Sequence, residues 1–153
     1  MATFGTFVDG VSLKASELND FFISTSVVPT LRQNVTITGI SGNSISYFVV
    51  NKVVYGFFRA GGNSAGTAGN RIEVDLPVTA ASSSVRVIGS GFFRDASPVG
   101  VRVVRIVQVS TTRMAFLTDT ATSLTSYLGT TNGPAVTLAA NDYVCGSFVY
   151  EAA

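Results

Sequence analysis

From about residue 30 onward the chain is written in short runs where apolar and polar residues alternate, punctuated by Gly, Asn, Ser and Pro. A period of two places successive side chains on opposite faces of a strand, so each run predicts one. The runs cover residues 34–40, 44–50, 52–60, 71–76, 85–93, 99–110, 113–118, 135–139 and 143–151. The clearest is 71–76, with Ile72, Val74 and Leu76 expected inward and Arg71, Glu73 and Asp75 outward. In 99–110 the alternation slips between Val103 and Val104, which predicts a bulge there. Two runs, 44–50 and 52–60, are apolar at successive positions: Tyr47 and Val49 on one face, Phe48 and Val50 on the other. That predicts burial on both sides.

The segment before residue 30 follows another rule. Leu18, Phe21 and Phe22 fall at i, i+3 and i+4, one stripe of a short helix within 12–22. Glu17 and Asp20 suit its early turns, and Pro29 marks the exit. A helix this short needs a surface to dock on. The expected architecture is therefore all-β, a β-sandwich or jelly roll of about eight strands (residues 30–153), preceded by an attachment arm with a short helix (residues 1–29).

Composition supports this and narrows the function. Apolar residues make up 46% of the 153 positions and charged residues only 12%, about half the usual charged share. With no His, catalysis by a His base and most zinc sites are excluded. One Cys excludes a disulfide framework. A net charge of +1 gives no basis for nucleic-acid binding. Uncharged stretches are interrupted by Gly, Asn, Ser and Thr, so no membrane-inserting span is expected. The first residues carry no leader pattern, and synthesis in a cytoplasm with Cys145 reduced is the expectation.

Candidate chemistry is sparse. Glu73 and Asp75 share a strand face, but Arg71 shares it too, and a solvated charged face is the simpler reading. The loop 61–70 contains no large side chain; it enters a strand, unlike a phosphate loop, and reads as a flexible connection. Lys14 and Lys52 are poorly placed as bases, and no Gly-x-Ser-x-Gly elbow occurs. Cys145 reads as a small buried thiol. Arginines outnumber lysines eight to two. Arg71, Arg86, Arg94, Arg102, Arg105 and Arg113 lie in the strand region, where Arg suits ion pairs within and between subunits. Loop residues such as Tyr127 and Asn132 could contribute to glycan binding, but the chain has no Trp and no sugar site is assigned. No catalytic residue, metal ligand or cofactor is assigned.

Three segments resemble known proteins. Gly10, Leu13, Ala15, Leu18 and Asn19 fit a Gly-x-x-Leu-x-Ala-x-x-Leu-Asn pattern common near the start of bacteriophage tail-fibre and minor tail proteins. Residues 67–78 are similar to a stretch in structural proteins of phages that infect actinobacteria. Residues 136–144 resemble the last loop and strand of trimeric C1q-like jelly rolls, with Asn141 where those often carry Gly. The resemblance implies a non-enzymatic, homotrimeric virion protein, either a capsid decoration (head-fibre) protein or a minor tail protein contacting host glycans. Leu13, Leu18, Phe21 and Phe22 would then attach to a capsid or tail protein. Tyr47, Phe48, Tyr55, Phe57 and Phe58 are the expected subunit contact.

Overall fold

The computed structural model describes residues 24–97, 99–118 and 126–153. The expected helix and its attachment residues Leu13, Leu18, Phe21 and Phe22 lie outside them. The described residues form ten strands: β1 (Thr25–Val27), β2 (Leu31–Gln33), β3 (Val35–Thr36), β4 (Ser44–Val50), β5 (Val53–Gly61), β6 (Glu73–Asp75), β7 (Arg86–Ala96), β8 (Val99–Gln108), β9 (Arg113–Thr118) and β10 (Tyr143–Glu151). The described residues are all-β, as their alternation requires. Every pairing between these strands is antiparallel. The ladder is continuous in the order β1-β4-β5-β10-β7-β8-β9-β6-β2-β3.

One ladder makes a two-sided core by curling. Phe58 on β5 and Phe116 on β9 stack with centroids 5.9 Å apart, although β10, β7 and β8 separate those strands along the sheet. The inner face between them is filled by Val54, Phe58, Phe93, Val104, Ile106, Met114, Phe116, Val144 and Phe148, all within one buried cluster. Just after β3 the backbone returns to the far end of β5. Thr38 C=O accepts from Asn63 N–H at 2.8 Å, and Gly39 bridges Gly62. At that end the sheet closes on itself, so a free edge is removed there. Gly56 permits the tight curl, because a Cβ at that position would lie 2.4 Å from the Phe148 ring.

Several sequence expectations change. Residues 135–139 form no strand, yet Val136 and Leu138 are buried. Their backbone is held by a side chain instead: Gln33 Nε2 donates to Val136 C=O at 2.7 Å, and Leu138 N–H donates to Gln33 Oε1 at 2.9 Å. The register across Val103 and Val104 is regular; the shift lies on the partner strand, between Val87 and Gly89. The loop 61–70 is tied down rather than loose. Gly66 N–H donates to Leu138 C=O and Thr67 N–H to Gln33 C=O, and a Cβ on Gly66 would collide with the Gln33 side chain. β1 lies on the arm side of the expected boundary at residue 29, yet Thr25–Val27 pairs with β4. Asn141, standing where the C1q-like segment often has Gly, takes φ 70°, the left-handed region that Gly and Asn enter most readily.

Candidate functional site

Two features carry chemistry. The first is the outer face of β4, β5, β10, β7 and β8. Alternation turns Val54, Phe58 and Ala60 inward on β5, leaving Tyr55, Phe57 and Arg59 outward. β10 does the same, with Cys145, Ser147 and Val149 outward. Register then lines these residues up across the strands. Phe48, Tyr55 and Val149 form one row; Ser46, Phe57, Ser147 and Ser90 the next; Arg59, Cys145, Phe92 and Val103 a third. Phe57 is 63% exposed, Val103 60% and Val101 66%. Phe48 stacks on Tyr55 at 5.2 Å, which stiffens the β4 side of the face. At the other side Tyr143 meets Phe92 edge-on at 6.0 Å. The guanidinium groups of Arg59 and Arg94 lie 4.6 and 5.7 Å from the Tyr143 ring centroid. Cations over an aromatic face keep these rings ordered.

The structure divides the expected subunit contact. Phe48, Tyr55 and Phe57 stand on this outer face. Phe58 is 2% exposed and belongs to the protomer's core, and Tyr47 packs against that core. Adjacent apolar positions on one strand necessarily point to opposite faces. Cys145 sits on the outer face and is only half-buried, so it is not the core thiol that its mid-strand position suggests. Burial pushes its pKa up, with the Arg59 charge opposing, so the neutral thiol is favoured.

The second feature is ionic, on β2, β6 and β9. Glu73, expected on a solvated face, is only 7% exposed. Arg71 Nε meets its Oε1 at 2.5 Å and Arg113 Nη1 its Oε2 at 3.1 Å. Asp75 accepts from Arg32 Nη2 at 2.8 Å, with Arg113 Nε at 3.9 Å. The cross-strand register brings this about, pairing Arg32 with Glu73 and Asp75 with Arg113. Both carboxylates are occupied by arginines, an arrangement unlike a free acid and base pair. The Arg71 guanidinium also lies 5.5 Å from the Tyr127 ring. Tyr127 is buried, so its ring is not open for stacking against a sugar, while Asn132 is exposed.

Sequence reasoning missed several buried polar residues, Gln33 and Asp142 among them. Gln33 is fully buried and joins Asn70, Val136 and Leu138. Asp142 accepts from Ala96 N–H at 2.7 Å and Ala139 N–H at 2.8 Å. Both bind backbone groups distant along the chain or across a turn, and such partners leave no local pattern. Among the described residues, no group of three metal-ligating side chains occurs, and no helix is long and apolar enough to cross a membrane. No protein family, curated protein or solved structure matches the chain.

Proposed function

We propose that this chain is a non-enzymatic structural subunit of a bacteriophage particle, displayed as a homotrimer, with capsid decoration as its placement. The observation that carries the reading is the outer apolar face, on which Tyr55, Phe57, Phe92, Val101, Val103 and Val149 are exposed together. Large apolar patches mark surfaces that another molecule covers. The occupant proposed is a second copy of this chain. The face is already hydrogen-bonded on both sides of each central strand, so its cover packs flat rather than adding a strand. Arg59 and Arg94 lie beside Tyr143 at one end of β10, Arg105 stands in the Phe57 row, and Glu151 at the other end adjoins Lys52. A head-to-tail contact between copies is the kind that closes rings such as trimers. The phage-like segments 10–19 and 67–78, the C1q-like segment 136–144 and the low charge support the same reading.

Light scattering tests the assembly. A trimer at micromolar concentration is expected for the full chain, and a monomer throughout that range overturns it. Placement is tested with a chain that starts at Ser24, which keeps β1 and so the whole sheet. It should still trimerise and should fail to bind particles; normal particle binding overturns the role of the arm.

A further inference from the structure

We propose that the ionic cluster on β2, β6 and β9 is a binding pocket for the carboxylate of an acidic sugar. A pocket of about 260 Å³ opens there, lined by Arg32, Asn34, Asn70, Arg71, Glu73 and Arg113. This site is separate from the apolar face and does not depend on the proposed assembly. Charge counting carries the argument. Three guanidinium groups stand against two carboxylates, Glu73 and Asp75, leaving one positive charge unmatched.

The donors are also in excess. Glu73 takes one nitrogen from Arg71 and one from Arg113, and the remaining Nη groups of Arg71 and Nη2 of Arg113 make no hydrogen bond among the described residues. Arg32 spends Nη1 on Thr36 and Nη2 on Asp75, and its buried Nε has no hydrogen-bond partner among the described residues. Guanidinium forks match a carboxylate in two places. One unmatched charge suits a monovalent carboxylate and leaves a phosphate dianion uncompensated. Arg71 and Arg113 are 41% and 44% exposed, so their free nitrogens are reachable from solvent. The neutral amides of Asn34 and Asn70 border the charge. Asn70 spends its Nδ2 on the Thr67 and Ala68 carbonyls, which leaves its Oδ1 to accept from a sugar hydroxyl.

The test is a titration of the isotope-labelled full chain with glucuronate, using glucose and sulfate as comparison probes. Glucuronate should shift the amides of Asn34, Asn70 and Arg71 saturably in the millimolar range, glucose should not, and sulfate should bind more weakly. Arg71→Gln should weaken glucuronate binding about tenfold or more, the scale of a lost charged hydrogen bond. Glu73→Gln removes a negative charge and frees two arginines, and should tighten it. A purely structural ion-pair network predicts the opposite pattern: thermal stability changes in the variants while no probe saturates. Absence of saturation, equal binding of sulfate, or unchanged affinity in Arg71→Gln overturns the proposal. Melting curves of both variants confirm that the comparison is made between folded chains.

Discussion

Phe57 and Phe58 are neighbours on β5 and share a side chain, yet one is 63% exposed and the other 2%. The same division runs along β10 and β7. Phe148 and Phe93 lie inside, while Val149 and Phe92 lie outside. Inside, the rings meet one another: Phe58 contacts Phe116 and Phe148, and Phe148 contacts Tyr150. Outside, comparable apolar bulk stands beside serines and arginines, open to solvent. Hydrophobicity alone therefore does not identify a core. The curvature of the sheet decides which of two apolar faces is filled from within.

Substitutions on each face should separate these roles. Phe58→Ala should cost about 3–5 kcal/mol of protomer stability, measured by denaturant unfolding, because it empties a filled core site. A much smaller loss would mean that the inner face is loosely packed. Gly56→Ala should come next, at about 1–3 kcal/mol, because its new methyl group meets the Phe148 ring from below. That ring is itself held by Phe58 and Tyr150, so it has little room to yield.

Tyr150 sharpens the comparison through pH. Burial pushes it up to about 12 from 10.0; the hydrogen bond to Val78 opposes the rise, and nearby Tyr47 adds to it. The fold thus holds the phenol protonated. The stability this contributes is complete below about pH 10 and is lost as pH climbs towards about 12. Tyr150→Phe should flatten the alkaline decline in melting temperature across that window. At neutral pH it should cost about 1–2 kcal/mol, because Val78 N–H and C=O lose their partner. The smallest effect on the protomer belongs to the outer face. Phe57→Ser should change unfolding free energy by less than about 0.5 kcal/mol while shifting the light-scattering mass towards the monomer. Equal destabilisation by Phe57→Ser and Phe58→Ala would erase the distinction between the faces.

The strands were largely legible in the sequence because period-two alternation is a local property. Ser44–Val50, Arg113–Thr118 and Tyr143–Glu151 coincide with their runs. Where the reading failed, the cause was a distant partner. Val136 and Leu138 alternate like a strand, but the Gln33 side chain, more than a hundred positions earlier, takes the place of a neighbouring ladder. Glu73 looked solvated because its local neighbour Arg71 was visible and its ion-pair partner on β9, Arg113, was not. The apparent slip at Val103–Val104 arose because the outer face is also apolar there: Val103 faces out and Val104 in. Arg32 gave no sign of its place in the carboxylate pocket, since only the β2–β6 pairing brings it beside Asp75.

β10 is late in the chain and its ladder partners are early. It follows the nine other strands of the described residues, yet it lies inside the ladder, between β5 and β7. During synthesis, the facing edges of β5 and β7 stay unpaired until that late strand emerges and slots between them. Closure over such long separations is slow, and open strand edges invite pairing between nascent chains. Nascent chains would be most exposed to misassembly in that interval, before β10 completes the sheet.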